Sequence, residues 1–205
     1  MNTRAITAAL AAAVVGLSFG AGNPNVSTFT DKRDGKVYKI VKVGSKTWFA
    51  ENLNYNMEGS ECYENSADSC AKYGRLYDWS TAVKACPAGW RLPIDAEWTA
   101  LENSVGGSET AGKKLKSANG WKDKGNGTNE YGFSAMPGGN GYGGSFKDAA
   151  GYGVWWSTTE YSASSAWYRF MGYDNDSVGR DYFVKAVQMS VRCIENYSGS
   201  SSTLK

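Results

Sequence analysis

The pattern of apolar and polar residues between positions 36 and 53 predicts a β-hairpin. Two runs rich in β-branched and aromatic residues, KVYKIVKV (36–43) and KTWFAENL (46–53), flank a Gly-Ser pair. Such runs on either side of a short turn favour antiparallel strands. The next residues, 54–73, are mostly polar, and we expect them to form a loop.

Three segments in the middle of the chain are predicted to be short helices. The first, residues 79–85, spaces its apolar side chains three and four positions apart after Asp78, a preferred N-cap residue type. The second, residues 96–103, follows Asp95, and the third begins at Ser108. We expect Asp95 and Ser108 to cap these two helices.

The composition changes in residues 137–153, where aromatic residues stand among closely spaced glycines. A loop of this length is either functional or a surface excursion. The segments VWWSTT (154–159), AWYRFM (166–171) and VQMSVRCI (187–194) follow it. Their aromatic and β-branched residues predict three strands.

The first 22 residues predict a secretory signal peptide. Arg4 precedes an uncharged run rich in Ala, Val and Leu, which is too short for a membrane span and is closed by small residues. Residues 23–29 are predicted to be a linker, 30–195 the folded domain and 196–205 a disordered tail. We therefore expect a secreted protein, extracellular or at the cell surface with the periplasm as an alternative, and no membrane span in the mature chain.

Charge and histidine content exclude several functions. The chain has 22 basic and 20 acidic residues and no histidine. A nearly neutral chain offers no electrostatic footprint for nucleic acid, so we expect no nucleic-acid partner. Without histidine, Ser-His-Asp and Cys-His catalysis are excluded, and the commonest transition-metal ligand is missing.

The four cysteines all follow the predicted signal peptide, and in an exported chain they predict two disulfides. Three pairings are possible. Cys62 and Cys70 lie close together in a polar loop that is able to close on itself, which would leave Cys86 with Cys193. The alternative of free thiols or a zinc site is disfavoured because CxxC spacing is absent.

Ordered blocks from Thr30 to Glu195 resemble the Fibrobacter succinogenes major paralogous domain family. The blocks are TDKRDGKVYKIVKVGSKTWFAENLNY, YGRLYDWSTAVKACPAGWRLPIDAEWTAL, AGKKLKS, FSAMPGG, VWWSTTE and SVRCI. The resemblance implies a secreted or surface-exposed domain of poorly defined biochemical role, common in bacteria that degrade plant polysaccharide.

More distantly, the RLP-x-x-AEW turn and the terminal VRC are similar to the formylglycine-generating, sulfatase-modifying enzymes of the C-type-lectin-like fold. This likeness implies an irregular α+β domain in which a few helices pack on small antiparallel sheets. It also places Cys86 and Cys193 at the positions of that fold's long-range disulfide.

The same likeness argues against the oxidase activity of those enzymes. Cys193 matches one member of their copper-binding cysteine pair, but Gln188 stands in the place of the other. One thiolate does not make the two-sulfur site that Cu(I) prefers. Their calcium-binding segment is also incomplete, since residues 154–156 lack its glutamate and Gly153 replaces its asparagine. We therefore expect no cofactor of that kind.

A hydrolase is a further, less favoured hypothesis. Asp95 and Glu97 are two carboxylates at the start of a predicted helix, where helix capping explains them better than glycoside hydrolysis. Glu97 is also placed to form a structural ion pair with Arg91.

The favoured hypothesis is a non-catalytic binding or adhesion domain, with extracellular polysaccharide as its proposed partner. The chain has eight tryptophans and thirteen tyrosines, and flat aromatic faces pack against the C–H faces of sugar rings. We expect the tryptophans of predicted elements to lie in the core, namely Trp79, Trp90, Trp98, Trp155 and Trp156. The candidate ligand-binding residues are the loop tyrosines Tyr142, Tyr152, Tyr161 and Tyr173.

Two alternatives stay open. Asp174, Asn175 and Asp176 offer the oxygen ligands that Ca²⁺ takes, although the same residues make a turn without a metal. A structural or protein-interaction subunit of a cell-surface assembly is the second functional hypothesis, because a lectin-like scaffold with variable loops suits protein recognition as well as sugars.

Overall fold

The computed structural model describes residues 26–196. Within them the fold is α+β with small, mostly antiparallel sheets, as predicted, and it contains four α-helices, one more than the three predicted. The helices are α1 Ala67–Tyr73, α2 Trp79–Ala85, α3 Asp95–Ser104 and α4 Ser108–Leu115. The strands are β1 Val26–Thr30, β2 Val37–Val43, β3 Lys46–Phe49, β4 Ser60–Glu61, β5 Leu76–Tyr77, β6 Trp90–Arg91, β7 Asn140–Tyr142, β8 Ser145–Lys147, β9 Tyr152–Glu160, β10 Ser165–Gly172, β11 Gly179–Val184, β12 Met189–Ser190 and β13 Ile194–Glu195. The predicted signal peptide lies outside the described residues.

A five-stranded antiparallel sheet has the order β1-β2-β3-β13-β6. Its β2–β3 hairpin is the one that the sequence predicts, with Gly44 at a positive φ of 61° in the turn. The predicted linker over residues 23–29 is wrong for residues 26–29, which belong to strand β1. Phe29 on this strand packs against Phe49 and Trp90, and that contact ties the strand to the folded unit.

A six-stranded sheet has the order β11-β10-β9-β12-β5-β4, with β12 parallel to β9 and the other pairs antiparallel. Strands β9 and β10 contain the predicted segments 154–159 and 166–171. The predicted strand 187–194 is divided, because the chain there crosses between the sheets. Ser190 pairs with Trp155 in the six-stranded sheet and Ile194 with Trp48 in the five-stranded sheet.

Helix α2 begins as predicted, with the Thr81 N–H donating to the Asp78 carboxylate over 2.9 Å. Asp95 is not the cap of α3. Ile94 holds the cap position, and its N–H donates to Glu97 Oε2 over 3.1 Å. Asp95 is instead the first helical residue.

Two other predictions about helices are corrected. Ser108 is the first residue of α4, and Gly107 holds the cap position with a φ of 92°. Helix α1 lies inside the predicted loop 54–73, and it buries Cys70 and Tyr73.

Both disulfides are formed, with Cα–Cα distances of 5.0 Å for Cys62–Cys70 and 5.9 Å for Cys86–Cys193. The second bridge joins the end of α2 to the segment before β13, which closes the domain. Asn196 belongs to this end of the fold, since its N–H donates to Gly89 O over 2.9 Å. Residues 197–205 of the predicted tail lie outside the described residues.

Two apolar clusters form the core, and four of the five predicted core tryptophans are buried in them. Trp98 and Trp155 lie in one cluster, and Trp90 and Trp156 in the other. Trp79 is only partly buried, because it packs at the margin of the second cluster. None of the helices in residues 26–196 is both long and apolar enough to cross a membrane.

Candidate ligand-binding cleft

An open cleft of about 710 Å³ separates the β7–β8 hairpin from the edge strand β11. Its apolar walls carry rings and branched side chains, and its polar groups are amide, hydroxyl, carboxylate and ammonium. The lining residues are Asn140, Tyr142, Ser145, Lys147, Asp148, Phe183, Val184 and Val187. We call this surface the aromatic cleft.

Glycine residues shape the hairpin wall of the aromatic cleft. Gly143 and Gly144 adopt positive φ values of 57° and 78°, which allows a two-residue turn between β7 and β8. The hairpin is fixed in place because Gly141 and Gln188 exchange backbone hydrogen bonds of 3.0 and 2.7 Å. This fixed turn presents Tyr142, whose exposed fraction is 60%.

Strand β11 supplies the other wall, where Phe183 is 50% exposed. A smaller cleft of about 220 Å³ adjoins the first, since Asn140 and Asp148 line both. Tyr152, Val154, Tyr168 and Phe170 complete this second cleft. Burial raises the pKa of Tyr168 to about 12. Its hydroxyl is a hydrogen-bond donor at neutral pH, as that of any tyrosine is.

Two of the four predicted tyrosines belong to these clefts, Tyr142 to the larger and Tyr152 to the smaller. Tyr161 does not. It stacks on Tyr182 with ring centroids 3.6 Å apart, and successive residues of a strand face opposite sides. Tyr182 and Tyr161 therefore lie across the sheet from Phe183.

Tyr173, the fourth predicted tyrosine, packs against the core and lines neither of these two clefts. The Lys122 ammonium lies 4.1 Å from its ring centroid, and the Tyr152 ring meets it edge-on at 6.1 Å. The Tyr152–Tyr173 contact is the one ring contact among these four tyrosines within the described chain.

Sequence reasoning missed Phe183, Tyr168 and Phe170. Tyr168 and Phe170 lie in a predicted strand, where alternation was available as a signal that they share a face. Phe183 lies in the aromatic and β-branched run YFV (182–184), for which no strand is predicted. Pairing of Ala166 with Phe183 brings these strands together.

The predicted calcium ligands form a turn that a lysine side chain stabilises. Asn175 Oδ1 accepts from the N–H and hydroxyl of Ser177 over 3.1 and 2.8 Å. The buried Lys116 ammonium donates to the carbonyls of Gly172 and Asn175 over 3.0 and 2.8 Å. The Lys116 ammonium is therefore already bound to two carbonyl oxygens at this turn. The side chains of Asp174 and Asp176 are exposed. Calcium binding here stays an untested prediction.

The residues considered for catalysis have structural partners. Cys193 is bonded to Cys86 and is not available as a thiolate. Glu97 forms the predicted ion pair with Arg91, with two hydrogen bonds of 2.7 and 2.6 Å. Asp95 binds Arg169 and Arg180. The guanidinium groups of these two arginines hold the pKa of Asp95 below its ordinary value, although burial alone would raise it.

The described chain is thus a disulfide-bonded α+β domain with an open aromatic cleft. It belongs to the Fibrobacter succinogenes major domain family, whose model matches residues 41–195. The matched region contains both disulfides and all the residues of the two adjoining clefts. Neither the curated proteins nor the solved structures include a match.

Proposed function

We propose that this protein is a secreted, non-catalytic binding or adhesion domain that holds extracellular polysaccharide in the aromatic cleft. The observation that supports the proposal is the pairing of two exposed rings, Tyr142 and Phe183, with polar side chains in one open cleft. Rings bury apolar area against the C–H faces of sugars, and polar groups fix the orientation of a ligand.

The polar groups suit a hydroxyl-rich ligand. Asn140 offers both a donor and an acceptor, Asp148 offers acceptors, and Lys147 offers donors. Because Asn140 and Asp148 also line the smaller cleft, a bound chain has room for more than one sugar unit. An open surface of this kind fits a polymer better than a small ligand, most of whose area is usually enclosed.

The proposal includes a C-type-lectin-like scaffold and export from the cytoplasm. The Cys86–Cys193 bridge joins the end of a helix to the last strands, as the resemblance to that fold implies. Disulfides persist in oxidising compartments, so two of them agree with an extracellular or cell-surface location.

A pulldown on insoluble cellulose and xylan tests the polysaccharide proposal. We expect the unmodified protein to be retained, and Tyr142→Ala and Phe183→Ala each to weaken binding about tenfold, as expected when about 1.4 kcal/mol of ring burial is lost. Tyr161→Ala is the matched control, since Tyr161 is a tyrosine of similar exposure, 50%, that lies on the other side of the sheet.

Two outcomes would reject the proposal. One is that neither polymer retains the unmodified protein. The other is that Tyr142→Ala and Tyr161→Ala bind equally well, which would place the binding surface elsewhere.

A structural or protein-interaction role is the second candidate. The observation that favours it is the position of β11 at the edge of the six-stranded sheet, with the exposed Tyr161–Tyr182 pair beside it. Exposed apolar surface of this kind marks protein contacts in other proteins. This role would be supported if Tyr161→Ala abolished the binding of a protein partner and either left polysaccharide binding unchanged or was made in a protein that binds no polysaccharide.

A further inference from the structure

A second cavity, of about 270 Å³, lies between the β2–β3 hairpin and helix α1. It shares no lining residue with the aromatic cleft. Three of its lining residues are lysines, Lys36, Lys39 and Lys72, and Glu51 is the one carboxylate among them. We call it the basic cavity.

Aromatic rings position two of the three ammonium groups. Lys36 Nζ lies 5.6 Å from the ring centroid of Tyr38, and Lys72 Nζ lies 4.7 Å from that of Tyr73. Both tyrosines are buried and line the same cavity. The ion pairs of residues 26–196 include none of these lysines, so the ammonium charges are available to a ligand.

A buried cation lies directly behind the cavity wall. The guanidinium of Arg192 donates to Asn52 Oδ1 over 2.8 Å and to Ser134 O over 3.3 Å, and both of these residues line the basic cavity. Its other acceptors are the carbonyls of Phe49 and Phe133.

Within residues 26–196 no carboxylate forms an ion pair or a hydrogen bond with Arg192, and Arg192 Nε has no hydrogen-bond partner there. Complete burial lowers the pKa of Arg192 to about 9, against an opposing effect of Glu51. An isolated buried charge is unfavourable in a medium of low dielectric constant, and a nearby anion would offset that cost. The charge thus adds to the positive potential that the lysines create in the cavity.

From this combination we infer that the basic cavity binds a small oxyanion, either the carboxylate of a sugar acid or an inorganic phosphate. The volume admits either group, and the lysines supply charge-assisted donors. This site is separate from the proposed polysaccharide surface and does not depend on it.

Calorimetric titration of the purified protein with sodium D-glucuronate, sodium phosphate and D-glucose at low ionic strength tests the inference. We expect saturable binding of at least one anion, weakening as NaCl is added, and no binding of glucose. Glucuronate binding without phosphate binding identifies a sugar-acid site, and the reverse identifies a site for the free oxyanion.

Charge variants localise the binding. We expect Lys36→Gln and Lys72→Gln each to weaken it about tenfold, which is the loss of one charge-assisted contact. Glu51→Gln removes the opposing charge and should strengthen it. Lys84→Gln is the matched control because Lys84 is exposed on α2 outside the cavity.

Two results would overturn the inference. One is that none of the anions shows saturable binding. The other is that Lys36→Gln and Lys72→Gln bind as Lys84→Gln does. Neither result affects the polysaccharide proposal, whose test uses insoluble cellulose and changes residues that line the other cleft.

Discussion

Arg169 is a buried guanidinium that joins β10 to α3, and replacing it with methionine would leave a buried carboxylate without a partner. Arg169 Nε donates to Glu102 Oε1 over 2.6 Å, and its other nitrogens donate to Asp95 and to the Thr99 hydroxyl. Asp95 keeps a second cation, Arg180, whereas the Glu102 carboxylate has no other ion pair in residues 26–196.

The expected cost follows from the burial of Glu102, whose side chain is 8% exposed. Removing one partner of a buried ion pair destabilises a protein by about 3–5 kcal/mol because the remaining charge is uncompensated. Methionine retains an apolar side chain similar to the aliphatic part of arginine, so the loss of stability reflects the missing charge more than a change in packing. We expect Arg169→Met to lower the free energy of unfolding by this amount at neutral pH.

The ionisation of Glu102 determines how the stability loss of Arg169→Met changes with pH. Burial raises the pKa of Glu102 above its ordinary value of 4.5 even with Arg169 present, and without Arg169 that pKa rises further. A carboxyl group whose folded pKa exceeds its unfolded pKa loses stability as the pH rises through the folded value. The part of the stability loss of Arg169→Met that the Glu102 charge causes should therefore be smallest below pH 4.5 and grow as the pH rises above that value.

Urea unfolding followed by tryptophan fluorescence measures these differences, with Arg169→Met/Glu102→Gln as the matched variant. Glutamine resembles the protonated carboxyl group, so the single and double variants should be equally stable at acid pH and diverge as the pH rises. A deficit below about 1 kcal/mol at neutral pH, or a double variant no more stable there than the single one, would refute the reasoning.

Two further predictions concern stability. Serine at both Cys86 and Cys193 opens a bridge that spans 107 residues and should cost about 4–5 kcal/mol, whereas opening Cys62–Cys70, which spans 8, should cost about 2–3 kcal/mol; urea midpoints that place the two variants in the opposite order would contradict this. Because Lys116 already occupies the carbonyls of its turn, we expect a chelator to leave the melting temperature of the unmodified protein unchanged, and a fall would show that the predicted calcium ion binds.

The elements predictable from sequence are those in which local preference and tertiary packing agree. Helix α2 has a capping aspartate and an apolar face, and both are used. The β2–β3 hairpin has β-branched strands joined by a glycine that accepts a positive φ. In both cases the residues that form the element also bury its inner face.

The missed elements lack that agreement. In β11 every side chain from Arg180 to Val184 is exposed. Because neither face of this strand is buried, its sequence does not alternate between apolar and polar residues, and no such pattern marks it as a strand. Helix α1 has seven residues, two of them buried, and a disulfide ties it to the preceding segment. Asp95 follows a capping pattern locally, but two arginines from distant strands bind its carboxylate.

The candidate cleft was only half predictable, for a similar reason. Tyr142 stands out among glycines, and its exposure follows from a turn that nothing packs over. Phe183 becomes part of the same surface through distant pairings, of Gly141 with Gln188 and of β11 with β10. No local pattern reports that two segments so far apart in sequence share a cleft.

The edge of the six-stranded sheet helps to separate the two proposed functions. A free edge strand invites a partner chain to add a strand, and charged side chains on the edge oppose such pairing. Here the Tyr182 N–H donates to the Asp181 carboxylate over 2.8 Å, so an added strand would have to displace that bond. Arg180 is held as well, by Asp95 and by the Trp167 ring 3.4 Å away. One N–H of the edge backbone is thus bonded to a side chain of the same strand, and the neighbouring Arg180 side chain is held in place. The Phe183 ring stays exposed, and this favours a ligand that binds rings over a partner strand that pairs with the backbone.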